Sequence, residues 1–159
     1  LSACASAQIV ISGNENKIDL TSGEAKAIAN APPDSISILD FSVFPPNVHH
    51  IEGITNSVIG PPSNIAVTPD GGFALIASSV VPDPQNPGTY VPDTKIRVLD
   101  LFANPPVVIQ EIEGDKQPSG LSITSDGALA LVANRAAGTV SVLTIEGGAV
   151  SLKQNVKIC

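Results

Sequence analysis

The chain contains nearly the same segment twice. PSNIAVTPDGGFALIAS at Pro62 to Ser78 returns as PSGLSITSDGALALVAN at Pro118 to Asn134. A unit this short cannot bury its own apolar side, so copies must stack and share a core. Within each copy two apolar runs are separated by Asp70-Gly71 or Asp126-Gly127, pairs that supply the positive backbone dihedrals of a tight hairpin at little steric cost. Leu121 to Leu143 therefore reads as three antiparallel strands, turned at Asp126-Gly127 and at Gly138.

Composition narrows what the stacked units are made of. With 43% hydrophobic residues in 159, the chain has enough apolar mass for a core and too much for a disordered segment. There is no Trp or Met and only 3% aromatic residues, so the core must be packed from Val, Ile, Leu and Ala, and the β-branched share favours sheet. A net charge of −7 without any cluster of Lys or Arg excludes nucleic acid and anionic membrane surfaces as expected partners. No apolar run approaches the roughly 20 residues of a spanning helix, so no membrane span is expected.

In order, Gln8 to Ser12 reads as a strand, followed by a long polar loop from Gly13 to Asp34 in which Thr21 to Asn30 is a marginal helix candidate. Ser35 to Phe41 alternates and reads as a strand; Phe44-Pro45-Pro46-Asn47 breaks the chain; Val48 to Ile54 restarts it. Val81 to Asp93 carries four prolines and is expected to be an inserted loop without strand character. Thr94 to Leu101 matches Ser35 to Phe41, Asn104-Pro105-Pro106 matches the first proline break, and Val107 to Glu113 leads back into the repeat.

A unit of four strands at roughly 40–50 residues has the spacing of a β-propeller blade. The expected fold is thus all-β, with four-stranded antiparallel blades forming a partial ring of about three to three and a half blades. The divisions expected are a tail at 1–7, a partial blade at 8–41, blades at 48–101 and 107–145, and the first strand of a further blade at 150–158. On that division Ser35 to Phe41, Thr94 to Leu101 and Thr139 to Ile145 are the outermost strands. Gly13 to Asp34 and Val80 to Asp93 are then equivalent excursions between third and outer strands.

These residues resemble the YVTN family of propeller repeats, related to the lactonase-like seven-bladed propellers. Pro118, Gly120, Thr124, Asp126, Gly127, Val132, Ala133, Asn134, Gly138 and the Thr139 to Val142 run fit the family's blade; Ser125, Leu131 and Ser78 depart from it. The resemblance implies a propeller and, by analogy, either a lactonase-like hydrolase of the 6-phosphogluconolactonase type or a binding platform. It also implies missing blades, to come from a second chain, a second copy or the rest of a longer protein, because an open half-ring leaves its terminal sheets uncovered.

Candidate site residues are few. Loops at Ser42 to Val48, Pro69 to Gly72, Ala103 to Pro106, Ser125 to Gly127 and Glu146 to Ala149 are expected to border a central funnel that could take a small-molecule ligand. His49 and His50 begin what reads as an inner strand, so one of them could face that funnel as a base or a metal ligand. Asp70 and Asp126 lie in the same loops and serve first as turn formers. No second metal-ligand cluster, nucleophile elbow, P-loop, dinucleotide fingerprint or CxxC occurs, so no catalytic residue, metal or cofactor is assigned.

The two cysteines, Cys4 and Cys159, lie near the two ends. Leu1-Ser2-Ala3-Cys4 resembles a lipoprotein processing site and Ala5-Ser6-Ala7 an ordinary signal-peptidase site, either of which points to export, periplasmic or secreted, with a lipid anchor at Cys4 in the first case. A Cys4 to Cys159 disulfide is the other expectation.

Overall fold

The computed structural model describes residues 9–56 and 63–158. These residues form fifteen strands and, among them, no helix: β1 Ile9–Asn14, β2 Ile18–Asp19, β3 Lys26–Ala27, β4 Ser35–Asp40, β5 Asn47–Glu52, β6 Ile65–Val67, β7 Phe73–Ala77, β8 Val80–Pro82, β9 Tyr90–Pro92, β10 Lys95–Asp100, β11 Val107–Glu113, β12 Pro118–Ile123, β13 Leu129–Asn134, β14 Thr139–Glu146 and β15 Ala149–Lys157. Three antiparallel sheets carry the fold, ordered β1-β4-β5, β6-β7-β10-β11 and β12-β13-β14-β15.

The sheets stack face to face, the second between the other two. Alternation along β7 makes this possible: Ala74 and Ile76 pack on Ile36, Ile38 and Ile54 of the first sheet and its flank, while Leu75 and Ala77 pack on Leu121, Ala130 and Val132 of the third. Strand β7 is therefore buried on both faces, and its near-continuous apolar reading follows. Polar contacts pin the stack. Arg97 Nη1 donates to Thr55 Oγ1 at 2.7 Å, and the Leu121 N–H donates to the Ser63 carbonyl at 2.8 Å.

Strand pairing corrects the division read from the sequence. The segments expected outermost, β4, β10 and β14, are third strands, and each turns back through a tight loop to pair with β5, β11 or β15. The Val150 to Ile158 run thus closes the third sheet and does not open another. The Pro-Pro pairs misled the reading, because a residue without an N–H marks a hairpin loop as readily as a boundary between units. Charge across the pair was the missed signal: Lys95 bridges Glu111 at 2.9 Å and also Glu113, and Arg97 bridges Glu111 at 2.9 Å.

The two long excursions are equivalent, as expected, but they join second and third strands. Each forms a small hairpin of its own, β2 with β3 and β8 with β9. Thr21 to Asn30 holds turns and β3 in place of a helix. The proline-rich excursion does contain strands: Asp93 N–H bonds Ser79 C=O and Asp83 N–H bonds Thr89 C=O, both at 3.0 Å, so Pro82 and Pro92 fall at intervening positions where an N–H would point away from the partner. The β3 side meets the tip of the second hairpin through Ala27 N–H and Gly88 C=O at 3.3 Å.

A third copy of the repeat emerges only in three dimensions. Asn134 at the end of β13 donates to Thr139 Oγ1 (3.0 Å) and Ser141 Oγ (2.8 Å) on β14; Asn14 at the end of β1 donates likewise to Ser35 Oγ (3.2 Å) and Ser37 Oγ (2.9 Å) on β4. Strand β1 is thus the counterpart of β13. Among the described residues the first sheet shows the second, third and fourth strands of a unit.

Candidate functional site

All five loops expected to border a funnel lie at one end of the sheets, joining first to second strands (68–72 and 124–128) or third to fourth (41–46, 101–106 and 147–148). The two first-to-second turns are built identically. Thr68 Oγ1 donates to Asp70 Oδ1 at 2.5 Å and accepts from the Phe73 N–H at 3.0 Å; Gly72 N–H donates to the same Asp70 oxygen at 3.0 Å. Thr124, Asp126, Ala128 and Leu129 repeat every bond at the same distances. Gly71 and Gly127 both take φ of +73°, which is why the turn carries glycine. The threonine hydroxyls first, and the backbone N–H groups second, hold both carboxyls below the usual aspartate range, so Asp70 and Asp126 are ionised and exposed.

The structure brings these aspartates to one cavity of about 530 Å³ between the second and third sheets, walled by Pro69, Phe73, Phe102 and Ile145. Both rings sit on glycine backbone: a Cβ at Gly72 would overlap the Phe102 ring, and one at Gly148 would come within 2.9 Å of Phe73 Cζ. On its other side Phe102 borders a second cavity of about 250 Å³, between the first and second sheets, lined by Asp40, Asn47 and His49.

His49 and His50 lie within β5, the outermost strand of the first sheet, and do not begin an inner strand. Alternation sends them to opposite faces. His49 lines the smaller cavity, whereas His50 Nδ1 pairs with Ser37 Oγ at 3.1 Å on the opposite face. The two histidines therefore cannot act on one ligand. Cys4, Cys159 and the export-like residues 1–7 lie outside the described residues. Among the described residues no group of three His, Cys, Asp or Glu side chains is placed to hold a metal ion.

Sequence reading missed a cavity at the opposite end. The excursions enclose about 360 Å³ walled by Ala27, Ile28, Ala31, Pro33, Pro82 and Pro87, with Lys17 and Asp34 at its base. Lys17 is buried, bonded to Asp34, to the Asn56 carbonyl at 2.9 Å and, at 3.5 Å, paired with Glu15. Burial is the largest influence on Glu15 and pushes its carboxyl up, against the attraction of Lys17. With its ammonium fully engaged, Lys17 anchors the first excursion to the segment before residue 57. The polar loop read from Gly13 to Asp34 hid this anchor, because two carboxylates flanking one lysine at such separations look like an ordinary solvated surface.

No family model and no curated protein matches the chain. Solved structures resemble it in fold. A provisionally assigned 6-phosphogluconolactonase from Bacteroides fragilis superposes with a TM-score of 0.55 at 13% identity, over 95% of this chain and 38% of that one. Kuenenia stuttgartiensis hydrazine synthase gives 0.52 at 13% identity over 84% and 46%, and a provisionally assigned 6-phosphogluconolactonase from Bacteroides uniformis 0.50 at 14% over 94% and 53%. The chain is thus similar to lactonase-like β-propellers, with an all-β fold of antiparallel blades, and spans about half or less of the length of those structures.

Proposed function

We propose that the chain is one section of a larger β-propeller that serves, after export, as a ligand- or protein-binding platform. The observation that carries this reading is the outer face of the third sheet. Register makes Leu131, Ala133, Val140, Val142 and Val156 the counterparts of Leu75, Ala77, Ile96, Val98 and Ile112, the residues with which the second sheet packs on the third. Leu75 and Ile112 are 0% and 8% exposed; Leu131 and Val156 are 43% and 38% exposed. The same apolar row stands ready for a further blade, from a second chain, a second copy or the rest of a longer protein. Gln154 stands opposite Val142 as Gln110 stands opposite Val98, with a β-bulge beside each. Gln110 clamps the backbone of Val150 in the next sheet, and Gln154, exposed, is placed to do the same to a blade beyond.

Light scattering with intact mass tests the assembly. A particle heavier than the 16.2 kDa chain, reduced to that mass by Leu131→Asp, is expected. A folded particle at the mass of one chain, indifferent to Leu131→Asp both alone and within any longer chain that carries this segment, would overturn it. The second reading, a lactonase-like hydrolase, draws on the likeness to the Bacteroides structures. Hydrolysis of a sugar lactone by the assembled particle, abolished by changes in the cavities of this chain, would favour it over the platform.

A further inference from the structure

The five-loop end of the sheets is chemically one-sided. Asp40, Asp70, Asp100, Asp126 and Glu146 lie in or bound its loops, while none of the eight Lys and Arg does. All four phenylalanines of the chain gather there too. Phe44 is 91% exposed and Phe102 71%, and Phe41 is exposed as well. Exposed aromatics in a chain with so few are costly to leave in water unless something covers them.

Phe102 is held in place as well as exposed. Its ring lies on Gly72, its N–H donates to Asp100 Oδ1 at 2.8 Å, and the neighbouring Leu101 N–H donates to the Gly72 carbonyl at 2.8 Å. A ring fixed in advance loses little entropy when a partner covers it. Beside it opens the 530 Å³ cavity, with Asp70, Asp126 and Phe73 on its walls. Aromatic faces next to ionised carboxylates favour one kind of visitor, a cationic side chain that stacks on the ring while its charge meets the carboxylates.

We infer that this end docks a basic segment of another protein, with an arginine or lysine side chain entering the cavity between Phe102, Asp70 and Asp126 and apolar neighbours covering Phe41 and Phe44. A second copy of the chain fits poorly as the occupant: each copy carries a net charge of −7, which opposes close approach, and four of its eight basic residues, Lys17, Lys26, Lys95 and Arg97, are already paired with its own carboxylates. The inference goes beyond the platform reading, because every group it uses is already present in this chain and none belongs to the outer face of the third sheet.

Fluorescence anisotropy with a labelled eight-residue peptide alternating arginine and leucine tests it, beside a glutamate-leucine counterpart and free arginine amide as competitor. The arginine-leucine peptide should bind, its affinity falling as salt is added and dropping about tenfold in Phe102→Ser and in Asp70→Asn/Asp126→Asn. Phe102→Ser removes only an exposed ring, so it reads the site even where the double variant weakens the turns. Gly72→Ala should weaken binding as well by displacing the ring with every charge retained. Asp83→Asn at the opposite end and Leu131→Asp should leave binding unchanged, which separates failure of this inference from failure of the assembly reading. Equal binding of the glutamate peptide, full displacement by arginine amide at equimolar concentration, self-association abolished by Phe102→Ser, or indifference to Phe102→Ser and Gly72→Ala would each overturn it.

Discussion

Gln110 grips Val150 of the neighbouring sheet by both backbone groups, its Nε2 donating to the carbonyl at 2.5 Å and its Oε1 accepting from the N–H at 3.1 Å. The paired amide adds to the Leu121–Ser63 backbone bond between two sheets whose facing sides are otherwise mainly apolar. Gln110→Ala should lower the unfolding free energy by about 1–3 kcal/mol, since both Val150 groups lose their partner. Gln154→Ala, at the equivalent but unengaged position, should leave the denaturation midpoint of the isolated chain unchanged.

Asn134 is buried and joins Thr139 and Ser141, with Ser141 Oγ in turn donating to Asn155 Oδ1 at 2.7 Å. Asn134→Ala should cost about 1–3 kcal/mol in urea denaturation, the range for buried partners left unpaired. Asn14→Ala, in the less buried first sheet, should cost less.

The Thr-x-Asp turns predict an acid dependence. Asp70 and Asp126 titrate below their ordinary 3.8 in the folded chain, so the stabilisation they bring is complete above that value and fades as pH falls through the lowered one. Asp70→Asn/Asp126→Asn should therefore melt below the parent at neutral pH, with the difference closing in strong acid. Melting curves from pH 2 to 7 would show it; a gap that widened toward acid would contradict the assignment.

Glu15 carries the opposite sign. Its carboxyl is raised above the ordinary 4.5 by burial, so its contribution is complete below that value and is lost as pH rises through the raised one. Glu15→Gln should match the parent in acid and exceed it in stability at neutral pH, with Lys17 still held by Asp34. Urea midpoints at pH 4 and pH 7 give the comparison.

The tip of the second excursion should be dispensable for folding. Replacing Pro84 to Gly88 with Asn-Gly keeps the Asp83–Thr89 pair as the last rung of the hairpin and should shift stability by less than about 1 kcal/mol. A larger loss, by denaturation, would show that the contact of Gly88 with Ala27 carries the excursions.

The sequence alone determined the class of fold and the turns. Two near-identical segments, β-branched runs of period two and a Thr-x-Asp-Gly turn in each copy leave little freedom, because these are local constraints on backbone dihedrals and on which face is apolar. The roles of Asp70 and Asp126 as turn formers were legible for the same reason. What the tertiary structure decided was every relation across the chain. It assigned β5, β11 and β15 to the sheets before them, a choice between two flanking ladders that the local pattern leaves open and that cross-strand ion pairs mark only for β11. It put His49 and His50 on opposite faces of an outer strand, found Asn14 to be the counterpart of Asn134, and buried Lys17 between Glu15 and Asp34. It also gathered Phe41, Phe44, Phe73 and Phe102 at one end with five carboxylates and neither lysine nor arginine in its loops. A local pattern fixes dihedrals, but which distant side chains share a cavity depends on how whole sheets stack, and that is a property of packed surfaces and not of any one segment.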